Sequence, residues 1–280
     1  MNELVAGGGK ASPQVSVCVV TFRDRENLLR CLESIVEHAD VSHEVIIVDD
    51  ASHDGTIPAV RRRFPNLKLI ERAQNGGLVA GRNDALPHAI GRFVLMLDSD
   101  TELRPHSLSR LVRVLEGNPE VGLVGPRLVG VDGELQLSCR RYPPLLIPLM
   151  RRGPYARLVP SPRLHRWHLM MDFDHQAQRS VAWVSGAAQM WRRELVPILG
   201  AYDHRVSSYG GEDLDWCLRV WAAGFKVRYV PEAEVMHIGQ QMTRRSLYGR
   251  SSFRALRDWY YLQFKHWRLR RAPRMSEANA

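Results

Sequence analysis

The stretch Arg92-Phe93-Val94-Leu95-Met96-Leu97-Asp98-Ser99-Asp100-Thr101 constrains this chain more than any other. Five apolar residues run directly into two carboxylates separated by one small residue. A run of that length, bounded by charge, predicts a strand buried on both faces. Asp98 and Asp100 then stand at its C-terminal end, where open α/β sheets form their ligand crevice. Hard oxygen ligands held close together suit Mg²⁺ or Mn²⁺, which completes its shell with waters and phosphate oxygens. The same Asp-Ser-Asp also makes an ordinary solvated turn. The rest of the chain has to decide between the two.

Upstream, short apolar runs alternate with helical patterns. Val15 to Val20 is a β-rich run, followed by Thr21-Phe22-Arg23 and by a helix from near Glu26 with Leu28, Leu29, Leu32, Ile35 and Val36 on one side. Glu44 to Val48 predicts a second buried strand, ending in Asp49-Asp50-Ala51-Ser52-His53-Asp54-Gly55-Thr56. A helix follows with Pro58 near its start and stops before Pro65; Asp54 fits its cap. Leu67 to Ile70 is a third strand, Asn75-Gly76-Gly77 opens a helical stretch to about Ile90, and Arg92 to Leu97 is the fourth strand. This order predicts right-handed βαβ units and a parallel sheet. Its strand ends carry Thr21 and Arg23, then Asp49 and Asp50, then Asp98 and Asp100, so they converge on one edge. A nucleotide crevice fits that edge. No G-x-G-x-x-G follows the first strand and no G-x-x-x-x-G-K-[ST] occurs, which argues against dinucleotide and P-loop sites.

The second half is less regular. Val121 to Val124 predicts a strand, and Val131-Asp132-Gly133-Glu134 a hairpin turn within Leu128 to Ser138. Arg140 to Gln178 has no period and reads as a long loop that orders around substrate. Trp183 to Met190 reads as one strand, with Gly186 allowing a close backbone approach. Tyr209-Gly210-Gly211-Glu212-Asp213-Leu214-Asp215 leads into a helix with Leu214, Cys217, Leu218 and Trp221 on its apolar side. Gly224 is placed to end that helix, and Phe225 to Val230 returns as a strand. Glu212 and Asp213 suit catalysis, but acids are also favoured at any helix N-terminus. Asp215 reads as a surface acid or a salt-bridge partner. His237 reads equally as a core histidine or a ligand.

Taken in order, these motifs resemble the inverting glycosyltransferases of family 2, closest to the bacterial branch that includes rhamnosyltransferases. The resemblance covers about Val15 to Ile238. It rests on Thr21-Phe22-Arg23, Val48 to Thr56, Asn75-Gly76-Gly77 with Asn83, Leu97-Asp98-Ser99-Asp100, Val184-Ser185-Gly186-Ala187, Tyr209 to Asp215, and His237. It implies an α/β GT-A fold, a Rossmann-like mixed sheet flanked by helices, with a C-terminal amphipathic basic helix. Residues 14–125 would bind a nucleoside-diphosphate sugar and 126–238 the acceptor, a glycan or a polyprenyl-linked one. By the same resemblance, Asp49 or Asp50 would bond the base or ribose with Thr21 and Arg23 nearby. Asn75, Gly76, Asn83, Ser99 and Gly186 would line the donor site. Asp100, with Asp98, would hold the divalent ion, and His237 is a further candidate ligand. Asp213 would be the general base and Glu212 its positioning partner.

Charge bears on the ends of the chain. Residues 239–280 hold ten Arg or Lys against two acids, a balance of +8 that leaves +1 of the total +9 for the first 238 residues. A basic tail seeks an anionic partner. From Arg250 to Arg268, one helical face carries Phe253, Leu256, Tyr260, Phe264 and Trp267, and the adjacent one Arg250, Arg254, Arg257, Lys265 and Arg268. That pattern fits a helix lying on the inner face of the cytoplasmic membrane, or one packed on the domain with a solvated basic side. Residues 1–13 are a Gly-rich lead without a secretory signal, and no run is long enough to span a bilayer. The four cysteines show no C-x-x-C pairing and predict buried thiols in a cytoplasmic protein. A nucleotidyltransferase shares the acidic α/β plan but leaves Glu212-Asp213 unexplained. The near-neutral first 238 residues speak against a nucleic-acid partner, and a homodimer is left open.

Overall fold

The computed structural model describes residues 12–143, 162–206, 211–239, 250–269 and 276–278. In chain order its elements are β1 (Val15–Thr21), α1 (Arg25–His38), β2 (His43–Asp49), α2 (Thr56–Arg63), β3 (Lys68–Glu71), α3 (Leu78–Ala85), β4 (Phe93–Asp98), β5 (Thr101–Leu103), α4 (Ser107–Gly117) and β6 (Val121–Val129). There follow β7 (Leu135–Gln136), β8 (Cys139–Arg140), α5 (Pro162–His168), β9 (Arg179–Ser180), β10 (Trp183–Val184), β11 (Ala188–Arg192), α6 (Val196–Leu199), α7 (Glu212–Ala222), β12 (Lys226–His237) and α8 (Arg250–Lys265).

The main sheet runs β3-β2-β1-β4-β11-β6-β12-β5. Its first four strands are parallel. Period-two alternation then divides each strand between two cores. Val15, Val17, Val19, Ile47, Phe93, Leu95 and Leu97 face α1 and α4, against Leu28, Leu32, Ile35, Leu108 and Leu111. Cys18, Val20, Ile46, Val48, Val94 and Met96 face the other way, toward Trp191, Leu214, Trp216 and Leu218. Burial on both faces is why these strands read as unbroken apolar runs. The register sets Thr21 opposite Asp49 and Val20 opposite Asp98, so three strand ends meet on one edge.

Beyond β4 the sheet becomes mixed. β11 inserts antiparallel between β4 and β6, and β12 runs parallel to β6 and antiparallel to β5. The pairing of His237 with Thr101 carries the end of β12 back to Asp98 and Asp100.

Several expectations need correction. Trp183 to Met190 is two strands rather than one: β10 pairs with β8 in a separate two-stranded sheet, and the chain breaks at Ser185–Ala187 before β11 joins the main sheet. The helix after Gly77 is α-helical only to Ala85 and tightens to a 3₁₀ turn over Leu86–His88, where Pro87 has no N–H to continue the ladder. The region 140–178 is less loop-like than its composition, containing α5 and the end of β8; its residues 144–161 lie outside the described ones. The 131–134 hairpin forms as expected, joining β6 to β7. All four cysteines are buried free thiols. No helix among the described residues is long and apolar enough to cross a membrane.

The C-terminal helix α8 has a third face that the two-face reading left out. Asp258, Leu262, Gln263 and His266 are buried against the domain, while Tyr260, Phe264 and Trp267 are exposed, Phe264 at 79%. Arg254, Arg257 and Arg268 are exposed beside them. The helix therefore packs on the domain and still presents its aromatic and basic faces outward. The side chains of Arg250 and Phe253 lie outside the described ones.

Candidate active site

At the ends of β1 and β2, two buried oxygens lack partners. Asp49 accepts from the Ser52 amide through Oδ2 at 3.0 Å, but its Oδ1 has no partner, and neither does Thr21 Oγ1. An orphaned buried polar atom costs about 1–3 kcal/mol, and these two sit on paired residues at the rim. Together they offer one acceptor and one hydroxyl to a ligand. Asp50 is used differently. Its Oδ1 accepts from Gly76 N (2.9 Å) and Arg72, and its Oδ2 from Gly77 N at 2.7 Å. Asn75 donates to the Asp50 carbonyl oxygen. Asp50, Asn75 and Gly76 thus form a knot that shapes the rim. Arg23 is exposed, and its backbone, like that of Ala51 and His53, has positive φ (52°, 61° and 51°), a local strain concentrated at this edge. Asp54 is not the cap of α2, which is Gly55; it precedes it and accepts from the Thr56 amide at 3.0 Å.

Asp98, Asp100 and His237 form the second group. One ligand atom from each lies within 4.8 Å of the others. His237 Nδ1 is 2.8 Å from Gln136 Oε1, which holds that nitrogen as the donor and leaves Nε2, 3.6 Å from Asp100 Oδ1, free to ligate. Burial and the Asp98 charge push the Asp100 carboxyl up to about 6, against the opposing pull of His237. Two hard oxygens and one imidazole nitrogen fit a divalent cation. The backbone at Gly239 closes the group. A Cβ there would lie 1.9 Å from Asp100 Oδ2 and 3.0 Å from His237 Nε2, so any side chain would collide with this group. Ser99 points away and donates to Asp24 at 2.9 Å.

The third group is Glu212 and Asp213, on the first turn of α7. Asp213 accepts from Gly186 N at 3.0 Å and Leu214 N at 2.8 Å. Burial raises its pKa, and those two backbone bonds act in the opposite sense. Burial and the Asp213 charge push Glu212 up to about 8, with Arg82 opposing. The close backbone approach at Gly186 is made by Asp213 and Arg82: a Cβ would be 3.0 Å from Asp213 Cβ and 3.2 Å from Arg82 Nη1. Tyr209 and Gly210, which precede this turn, lie outside the described residues.

Arg82 joins the second and third groups, and nothing in the sequence reading singled it out. Its side chain is 1% exposed. Nη2 donates to Asp98 Oδ1 and to the Gly186 carbonyl oxygen, both at 2.9 Å, and Nη1 lies 3.4 Å from Glu212 Oε1. The guanidinium sits 5.7 Å from the centre of the Tyr202 ring, which stacks on Trp216. Asn83 spends both ends of its amide on the Tyr202 backbone, donating at 3.0 Å and accepting at 2.7 Å. It ties α3 to the second half and so supports this site from outside it.

Residues 13–270 match the family described as glycosyltransferase like family 2. The N-acetylglucosaminyl-diphospho-decaprenol L-rhamnosyltransferase of Mycobacterium tuberculosis is 29% identical over 234 residues, covering 79% of this chain and 75% of its own length. Among solved structures, GalNAc-T7 with UDP, GalNAc and Mn²⁺ superposes with a TM-score of 0.66 at 18% identity, over 92% of this chain. This chain spans 50% of that larger protein. The mannosyltransferase PcManGT of Pyrobaculum calidifontis, in complex with GDP-Man and Mn²⁺, gives 0.58 at 23% identity, over 98% of this chain and 76% of that one. The curled mixed sheet with flanking helices is therefore the GT-A fold.

Proposed function

The chain belongs to the glycosyltransferase-like family 2, and from this premise we propose which sugar transfer it performs. The donor is a nucleoside-diphosphate sugar, dTDP-rhamnose or a UDP-sugar. The acceptor is a hydroxyl of a glycan or polyprenyl-linked glycan, and the product a cell-envelope polysaccharide. The observation that carries this is Arg82, which bonds Asp98 of the cation-fitting group and pairs with Glu212 of the acid pair. Charge neutralisation for a leaving diphosphate and a base for an incoming hydroxyl are thereby brought within one side chain's reach.

In this reading Thr21 and Asp49 bind the base or ribose through their unpartnered oxygens, with Arg23 beside them. Asp98, Asp100 and His237 would hold Mg²⁺ or Mn²⁺, which supplies positive charge to the departing diphosphate. Asp213 takes the proton from the acceptor hydroxyl as its oxygen bonds the anomeric carbon. The bond to the diphosphate breaks on the opposite face, so the configuration inverts. Glu212 orients Asp213 and the acceptor. Support for a lipid-linked acceptor comes from the mycobacterial relative, whose name specifies one.

Purified protein with Mn²⁺ or Mg²⁺, a panel of nucleotide sugars and a membrane extract as acceptor tests the proposal by nucleoside-diphosphate release. One donor should be consumed, and Asp100→Ala and Asp213→Asn should each abolish its turnover. Turnover that survives Asp213→Asn removes the base from the scheme.

The same reading takes the protein to the inner face of the cytoplasmic membrane through the outward faces of α8. Tyr260, Phe264 and Trp267 would enter the interface, with Arg254, Arg257 and Arg268 meeting anionic headgroups. Deleting residues 239–280 would also strip Leu262 and His266 from the domain, so substitution on the surface is the cleaner test. Flotation with anionic vesicles should be lost in Phe264→Ser/Trp267→Ser, and equal flotation of both proteins rules the contact out.

A further inference from the structure

The inner face of α8 grips the helix that carries the acid pair. Asp213 and Asp215 are two residues apart on α7, which turns their side chains about 200° from each other. Asp213 reaches Gly186 on one side. Asp215, expected as a surface acid or salt-bridge partner, is 1% exposed on the other side and is held by two cationic groups and an imidazole. Its Oδ1 accepts from His266 Nε2 at 2.7 Å and Lys265 Nζ at 2.8 Å, and Oδ2 lies 3.1 Å from Arg219 Nε. Leu262 adds an apolar contact at the helix start, where Gly211 has φ 101° and its missing Cβ would lie 3.5 Å from Leu262 Cδ1.

α8 also spans the segments around this turn. Gln263 donates to the Pro143 carbonyl oxygen at 2.9 Å, and Lys265 and Tyr261 both donate to Asp203 at 2.8 Å. An acid at a helix N-terminus needs no such partners to be stable there. A buried carboxylate fed by donors from a distant segment holds geometry only while that segment stays docked.

We infer that His266, with Lys265, is a positioning residue for Asp213: by holding Asp215 it fixes the rotation of the first turn of α7, and with it the aim of the base. The inference rests on the reading of Asp213 as that base. Constellations of this kind tolerate about 10–20° of rotation, and a misplacement of about 1 Å costs on the order of 10²-fold in rate.

The test uses the full chain in the diphosphate-release assay, with calorimetry for donor and Mn²⁺ and urea midpoints for stability. His266→Ala should lower kcat about 10- to 100-fold while donor KM and Mn²⁺ affinity stay within about twofold. His266→Gln, which keeps a donor, should recover most of the loss. Gln263→Ala removes the bond from α8 to the Pro143 carbonyl oxygen, shares no partner with Asp215 or Lys265, and should lower the urea midpoint yet keep kcat. If His266→Ala proves too unstable to purify, Asp215→Asn examines the same contact from its other side. Unchanged kcat in His266→Ala and Asp215→Asn overturns the inference. So does a kcat loss that merely tracks the urea midpoint across all of them, Gln263→Ala included. Full turnover in Asp213→Asn is a separate outcome: it removes the base itself, whatever His266→Ala does.

Discussion

The proposed site has a donor and an acceptor half, and the two are built by different means. On the donor side, Thr21, Asp49 and Asp98 end neighbouring parallel strands, and the ladder β2-β1-β4 fixes their spacing. On the acceptor side, Glu212 and Asp213 ride on one helical turn whose placement depends on side chains: Arg82 from α3, Gly186 from a break between strands, and the grip of α8 on Asp215. Backbone hydrogen bonding thus sets the donor groups, whereas ion pairs and one missing Cβ set the acceptor groups. Substitutions should therefore be felt as binding defects on one side and as turnover defects on the other.

The severest test of that division is Arg82→Met, because this residue serves both sides. It should lower turnover by about 10³-fold and weaken donor and Mn²⁺ binding together. Removing one partner of a buried pair should also cost about 3–5 kcal/mol in urea unfolding. A turnover defect with unchanged Mn²⁺ affinity would confine Arg82 to the acceptor half. Gly186→Ala comes next. Its Cβ would meet Asp213 at 3.0 Å, so kcat should fall about tenfold while donor KM holds; the opposite split would place Gly186 in the donor site.

Thr21→Val tests the donor side alone. Losing a hydroxyl that only a ligand completes should raise donor KM about fivefold with kcat unchanged, at a stability equal to or about 1 kcal/mol above the parent. A fall in stability would mean that the hydroxyl has an internal partner. Glu212→Gln gives the smallest effect. The Glu212 carboxyl is pushed to about 8 by burial and the Asp213 charge, so the folded chain keeps a proton that the unfolded chain releases above the ordinary glutamate range. Stability is then greatest below that range and declines as pH rises towards 8. Glu212→Gln should flatten the decline and raise the melting temperature at pH 8 by about 2 °C. An identical pH dependence in both proteins would show that Glu212 is ionised in the fold.

The donor half was legible in the sequence because doubly buried strands must be continuous apolar runs and their topology forces polar ends onto one edge. In the acceptor half α7, the start of β12 and the 131–134 hairpin were legible too, but β8 to β10 were not, because they are two residues each and find partners far along the chain. Asp50 and Asn83 look like ligand-binding residues in sequence, yet the structure gives them internal bonds, which spacing alone does not reveal. Arg82 did leave a trace. Val79, Arg82 and Leu86 fall at i, i+3 and i+7, all three buried, and a cation on an apolar stripe must have partners. Asp258, Leu262 and His266 repeat at i+4 in the same manner, a third stripe hidden behind the more obvious aromatic and basic ones.

The insertion of β11 beside β4 also bears on how the chain comes to be made. Met96 pairs with Gln189, a separation of 93 residues. During synthesis the first four strands can assemble while the other side of β4, an apolar edge with open backbone groups, waits for a partner not yet translated. Such an edge invites association with other chains, and contacts this distant slow folding. A fragment ending near residue 125 should therefore aggregate. The chain should refold more slowly than its parallel half alone would suggest, because the bearer of Asp98 stays unpaired on one side until Ala188–Arg192 has been made.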